Sequence, residues 1–92
     1  MKHKTDDNQQ EIIDALREKP IYATVQDLSK VGEGCADILV GFRGVNYLLE
    51  IKNPDTKGKL NMLQKVWHKN WNGQVAVVRT VEEAFRAIGA IE

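Results

Sequence analysis

The sequence predicts an α/β protein in which a mixed β-sheet of about four strands is flanked by helices. Short apolar, β-rich segments occupy the middle of the chain, and segments with helical spacing of apolar residues flank and interrupt them. Strands that are apolar on both faces need cover on each side, and helices provide it in layered sheets. The expected order is helix, three strands, helix, strand, helix (α-β-β-β-α-β-α).

The first half of the chain carries the first helix and the first strand. An apolar stripe of three residues predicts a helix over 8–19, which Pro20 ends. Residues 22–28 are predicted to form a strand. The loop that follows contains Gly32 and Gly34, which allow conformations that other residues avoid, and we expect this loop to shape the turn and to let a binding partner approach closely.

A β-hairpin and two further helices complete the prediction. Two apolar strands, 36–42 and 45–51, are joined by Arg43-Gly44, and this pair favours a tight turn. A polar loop then leads into a helix over 60–71. A short strand over 74–79 precedes Thr80-Val81-Glu82-Glu83, a capping box that begins the last helix.

Length and composition predict a single domain spanning 1–92. The hydrophobic fraction is 42% and the charged fraction is 28%, both ordinary for a globular protein. Neither a bilayer-spanning run nor a signal peptide is recognisable, so no membrane partner is expected. The single cysteine cannot form an internal disulfide, which favours a reducing cytoplasm.

Charge is balanced overall but uneven locally. The chain has thirteen basic and thirteen acidic residues, yet the stretch 52–69 holds five lysines against one aspartate. Such a stretch can follow the phosphates of a nucleic acid. It can equally be a solvated surface of a loop and a helix.

The hairpin turn predicts a site. With the turn at Arg43-Gly44, Asp37 lies opposite Glu50, with Cβ atoms about 4.5–5.5 Å apart. Lys52 points to the same face as Glu50, because strand side chains alternate. The two carboxylates repel each other, and a divalent cation would relieve that repulsion. The alternative is a surface salt-bridge cluster, since Glu-x-Lys triplets are common.

Two segments carry a resemblance to a known family. They are Gly34-Cys35-Ala36-Asp37-Ile38-Leu39-Val40 and Leu48-Leu49-Glu50-Ile51-Lys52. Together they resemble the signature of the PD-(D/E)xK nuclease superfamily. The wider pattern, including Trp67-His68-x-x-Trp71-x-Gly73-Gln74, is similar to the VRR-NUC branch and its small stand-alone phage members. Ala36 stands where the family usually has proline.

The resemblance implies a restriction-endonuclease-like core and a Mg²⁺- or Mn²⁺-dependent deoxyribonuclease. It further implies selectivity for branched DNA, as in Holliday-junction resolvases, and a homodimer in the cytoplasm, that of the host if the gene is phage-encoded. The expected metal ligands are Asp37, Glu50, the backbone carbonyl of Ile51, and Glu11 on the first helix. The other expected catalytic residues are Lys52 and Gln64.

Several further residues are secondary candidates. Lys57, Lys59, Lys65 and His68 are expected to contact DNA, although His68 is also a candidate structural histidine. We interpret Trp67 and Trp71 as core or dimer-interface residues. Cys35 is expected to pack on the face opposite Asp37.

Two other functional classes remain open. The chain is alternatively a DNA-structure-binding module with weak or lost catalysis, but Asp37, Glu50 and Lys52 are all present. A packing domain in a larger phage assembly would leave the opposed carboxylates unexplained. Metal-dependent cleavage of branched DNA would distinguish a nuclease from both of these classes.

Overall fold

The computed structural model describes residues 8–56 and 59–92, and its elements follow the predicted order. A single 3₁₀ turn at Pro54–Thr56 follows the third strand. Within the described ranges, no helix is long or apolar enough to cross a membrane. The helices and strands are α1 (Gln9–Arg17), β1 (Thr24–Asp27), β2 (Ile38–Phe42), β3 (Val45–Ile51), α2 (Met62–Asn70), β4 (Ala76–Val78) and α3 (Val81–Ala87).

The four strands form one mixed sheet in the order β1-β2-β3-β4. The first three strands are antiparallel to their neighbours, and β4 pairs in parallel with β3. Strand β3 therefore has a partner on each side, and α2 lies in the connection to β4. The predicted mixed sheet of about four strands is confirmed.

The β2–β3 hairpin has the predicted register. Arg43 and Gly44 have φ values of 52° and 80°, the two positive values that a type I′ turn requires. Phe42 pairs with Val45, and the ladder continues to the pair of Ile38 with Leu49. The turn thus fixes which side chains share a face at the far end of the hairpin, where the candidate site lies.

The apolar core lies between the sheet and the helices α1 and α3. Leu49 and Ile51 of β3 face this core, so Glu50 between them points to the opposite side of the sheet. Thr80 caps α3 by accepting a hydrogen bond from the Glu83 N–H at 3.0 Å. The Glu83 carboxylate accepts from the Arg79 N–H at 2.7 Å rather than from Thr80, so only one half of the predicted capping box forms. Among the described residues, those with no more than 2% of their surface exposed in the core are Ile12, Leu16, Ala36, Ile38, Val40, Leu49, Ile51, Val78, Ala84 and Ile88.

Helix α2 lies on the other side of the sheet and turns its polar residues Gln64 and His68 toward Glu50. Helix α2 contains no buried residue, and Val66 is 48% exposed. The core role expected for Trp67 and Trp71 is therefore wrong; their rings stack on each other with centroids 4.7 Å apart. The reason is that Glu50, on this side of the sheet, requires polar partners rather than apolar ones.

Gly34 sets how closely α2 approaches the sheet. A Cβ atom at this position would lie 2.5 Å from the backbone oxygen of Leu63 and 3.0 Å from the backbone nitrogen of Gln64. Its φ of +82° also favours glycine. The structure thus shows a close approach of the α2 backbone at Gly34, and the approach of a binding partner to this glycine loop stays a prediction.

Gly34→Ala should lower the free energy of unfolding more than Gly32→Ala does. Both glycines have positive φ, and alanine there costs about 1–2 kcal/mol. Only Gly34 has backbone atoms in the way, while Gly32 has open space, and overpacking adds about 1–3 kcal/mol. Urea denaturation of both variants measures the difference. Equal losses would show that Gly34 does not hold α2 in place.

Candidate metal centre

The two predicted acids lie together at the end of the hairpin. Asp37 directly precedes β2, where its N–H donates to the Leu49 carbonyl at 3.1 Å. Its Oδ2 atom accepts a hydrogen bond from the Ile51 N–H at 2.7 Å, which fixes the carboxylate against β3. Glu50 is 1% exposed. The hairpin therefore places one anchored and one buried carboxylate on the same face.

Gln64 connects Glu50 to Lys52. Its Nε2 donates to Glu50 Oε2 at 3.1 Å, and its Oε1 accepts from Lys52 Nζ at 2.9 Å. The Lys52 ammonium lies 3.7 Å from the same Glu50 oxygen. Because a lysine only donates and an ionised carboxylate only accepts, the amide orientation satisfies both neighbours. Three of the predicted catalytic residues thus form one network.

The first turn of α2 holds Gln64 in this position. Asn61 caps the helix by accepting from the Gln64 N–H at 2.9 Å, and Gln64 Oε1 accepts from the Asn61 N–H at 3.0 Å. This is a capping box, so the same amide oxygen serves the helix end and Lys52. Asn61 was missed from the sequence, although the spacing Asn-x-x-Gln is the signal that reveals it.

These side chains open onto a cavity of about 400 Å³. A larger cavity of about 610 Å³ lies at the turn end of the hairpin, but no carboxylate lines it. The chemistry therefore belongs to the smaller cavity. Residues lining it include Gln9, Cys35, Asp37, Glu50, Lys52 and Gln64.

Two sequence expectations about this cavity are corrected. Glu11 is exposed on α1 and does not line the cavity; Gln9, two residues earlier, does. Asn8 explains this, because its Nδ2 donates to the carbonyls of Lys52 at 3.0 Å and Arg79 at 2.8 Å. Those bonds bring the first residues of α1 to the site. Both contacts join residues far apart in sequence, so no local pattern could reveal them.

Cys35 also lies differently from the expectation. It lines the cavity together with Asp37 rather than packing on the opposite face. Residues two apart in extended backbone share a face, so the expected alternation was misassigned. Burial raises the pKa of the Cys35 thiol, which keeps it neutral at pH 7.

Only some of the residues predicted to contact DNA lie on the surface. Lys59 and Lys65 are exposed. Lys57 lies outside the described residues. The His68 side chain is only 13% exposed, and its Nε2 lies 3.7 Å from Glu50 Oε1. The His68 side chain is therefore turned toward Glu50 in the protein interior and away from the solvent.

Burial and charge shift the proton affinities of this cluster. Burial, together with the hydrogen bonding and negative charge of Asp37, raises the pKa of Glu50 from 4.5 to about 8 against the opposing effect of Lys52. Burial lowers the pKa of His68, helped by the positive charge of Lys52. At neutral pH and without a cation, Glu50 thus retains a proton and His68 is neutral.

The donor set fits a hard divalent cation with few protein ligands. Among the described residues no group of three or more His, Cys, Asp or Glu side chains could hold a metal ion, so the expected triad with Glu11 does not form. Mg²⁺ typically takes one or two carboxylates and keeps several waters. Asp37 and Glu50 meet that need, because both carboxylate residues line the same cavity.

Comparison with solved structures identifies the fold. The chain is similar to a structure described as "VRR_NUC domain", with a TM-score of 0.68 and 24% sequence identity. The similarity covers 92% of this chain and 98% of the other. No family model and no curated protein matches the sequence. The restriction-endonuclease-like fold expected from the VRR-NUC resemblance is confirmed.

In chelator, the protein should lose stability as pH rises from about 4.5 to about 8. Across this window folded Glu50 keeps a proton that the unfolded chain has released, so unfolding becomes easier with increasing pH. Glu50→Gln should flatten the profile and be the more stable protein at pH 8. Thermal unfolding at half-unit pH steps measures both effects.

The exposed Glu11→Gln is the matched control and should retain the wild-type profile. A wild-type profile as flat as that of Glu50→Gln would contradict the raised pKa.

Proposed function

We propose that this protein is a divalent-metal-dependent nuclease that hydrolyses phosphodiester bonds in DNA. The observation that carries the proposal is the buried Glu50 carboxyl beside Asp37, joined through Gln64 to Lys52 at one cavity. A merely structural cluster would place its charges in solvent. Burying an ionised acid next to another acid is costly unless a cation is bound there, and a bound metal would allow Glu50 to be ionised in this position.

Asp37, Glu50 and the backbone carbonyl of Ile51 would hold the metal. A bound Mg²⁺ or Mn²⁺ supplies a Lewis acid for the scissile phosphate and an activated water. The hydrogen bond from the Ile51 N–H holds Asp37 Oδ2, which orients the carboxylate toward this position. Glu11 has no part in the proposed site.

Lys52 is the residue proposed to act on the reacting groups. Its ammonium lines the cavity and is held by Gln64, so Nζ can orient the attacking water and offset charge that develops on the phosphate. Gln64 has a positioning role, because its amide bonds join Lys52 to Glu50. Water then attacks the phosphorus in line with the leaving oxygen.

DNA with branches or four-way junctions is the proposed substrate. The resemblance to VRR-NUC domains supports this choice, and the exposed Lys59 and Lys65 offer positive charge for phosphates. Lys57 remains a predicted contact. The single cysteine supports a cytoplasmic location.

A DNA-structure-binding module with weak or lost catalysis is the second candidate. Such a binding module would not need the hydrogen bonds through which Gln64 links Lys52 to Glu50. The distances of 2.9 Å and 3.1 Å on either side of the Gln64 amide therefore favour the enzyme.

Purified protein should cut DNA in Mg²⁺ or Mn²⁺ and not in chelator. Lys52→Ala should slow cleavage roughly 10²–10⁴-fold, the usual contribution of a positioned acid or base. Lys65→Ala removes the same charge from an exposed site on α2 and should alter binding more than rate. Flaps, splayed arms, four-way junctions and linear duplex are compared on gels.

Junction binding without metal-dependent cutting would favour the binding module. Absence of both on every substrate would rule out the DNA assignment.

We further propose that the protein forms a homodimer through the apolar face of α2. This face contains Met62, Leu63 and Val66, which are 74%, 57% and 48% exposed. Contiguous apolar surface of this kind is typical of protein interfaces. Because the described residues form one candidate metal site, cutting both strands of a junction would need two subunits.

Val66→Glu should convert a dimer to a monomer in sedimentation experiments at micromolar concentration. Val45→Glu is the control, because Val45 is equally exposed at 48% but lies at the hairpin turn. A monomeric wild type, or equal dissociation by both variants, would refute this interface.

A further inference from the structure

His68 lies behind the Glu50 carboxylate. Glu50 Oε2 contacts Gln64 and Lys52, and both of these residues line the cavity. Glu50 Oε1 instead lies 3.7 Å from His68 Nε2, and His68 is not among the residues that line this cavity. The two oxygens of Glu50 thus have different surroundings, with the cavity on one side and an imidazole on the other.

Both atoms of this second contact lack a hydrogen-bond partner. Glu50 Oε1 and His68 Nε2 are buried, and each is without a hydrogen bond among the described residues. Buried polar atoms are almost always paired, so an unpaired donor and acceptor this close need an explanation. The Trp67 ring meets the imidazole edge-on at 5.4 Å, which limits the space on that side of His68.

We propose that His68 is a positioning residue for Glu50. The Nε2–H of His68 donates a hydrogen bond to Glu50 Oε1 when a cation is bound between Asp37 and Glu50. The inference rests on the proposed metal-dependent function. Closing the gap from 3.7 Å to a hydrogen bond needs a shift of about 0.8 Å. The bond would leave Oε2 turned toward the cavity, where the cation binds.

This role differs from the DNA contact expected from the sequence. A DNA contact requires an exposed side chain, whereas only 13% of the His68 side chain is exposed. Hydrogen-bond partners behind metal ligands orient them, and their loss typically weakens metal binding 10–100-fold. His68 should therefore influence metal affinity in the absence of DNA.

The test measures Mn²⁺ binding to DNA-free protein by calorimetry and by the electron paramagnetic resonance signal of free Mn²⁺. His68→Leu should raise the dissociation constant roughly 10–100-fold. His68→Gln should stay close to wild type, because its Nε2 can reach the place of the imidazole Nε2. His68→Asn carries the same amide on a shorter side chain and should behave like His68→Leu.

Two controls separate the possible outcomes. Lys69→Ala, an exposed neighbour on α2, should bind Mn²⁺ like wild type, and circular dichroism in chelator checks folding of each variant. If His68→Leu does not fold, the comparison of the Mn²⁺ affinities of His68→Gln and His68→Asn tests the proposal instead. Wild-type Mn²⁺ affinity in His68→Leu or His68→Asn would overturn the proposal, as would a loss confined to DNA affinity.

The metal site itself is tested by Asp37→Asn. If wild type and Asp37→Asn bind Mn²⁺ equally, or neither binds it, the proposed function fails and the His68 proposal fails with it. If Asp37→Asn loses binding and the His68 variants do not, only the His68 proposal fails.

Discussion

Glu50 is buried on one face of the sheet, with 1% of its surface exposed. A second acid lies next to it, and its two neighbours on β3 are core residues on the opposite face. A buried carboxylate without compensation is strongly unfavourable, so it must hold a proton, pair with cations or bind a metal. In the metal-free protein its raised pKa of about 8 means that the proton is retained. A bound cation would replace that proton at the same place.

The orientation of α2 follows from this constraint. The helix supplies the partners that Glu50 needs, with Gln64 on one oxygen and His68 beside the other. Turning its polar face to the sheet leaves its apolar face, including Val66, exposed. Gly34 allows the helix backbone to approach closely enough for these contacts. A requirement of the site thus produces the surface that we propose for dimerisation.

The sequence predicts what depends on local rules. The turn residues Arg43 and Gly44 fix the hairpin register, and the register brings Asp37 and Glu50 together. Strand alternation then places Lys52 on the same face as Glu50. These rules are short-range, so the order of elements and the central part of the site follow from the pattern alone.

The remaining parts depend on contacts between distant segments. The core role considered for Trp67 and Trp71 fails because the buried Glu50 requires the polar face of α2 to turn toward the sheet. Gln9 rather than Glu11 lines the cavity because Asn8 donates hydrogen bonds to the carbonyls of Lys52 and Arg79. No local pattern contains these long-range bonds, so the structure was needed to find them.

The most direct test is to locate Mn²⁺ in crystals of this protein by its anomalous scattering. The account predicts one peak between Asp37 and Glu50, at about 2.0–2.2 Å from a carboxylate oxygen of each, as for small octahedral cations. A peak only at surface acids, or none at millimolar Mn²⁺ with Glu50 in its metal-free position, would contradict the account.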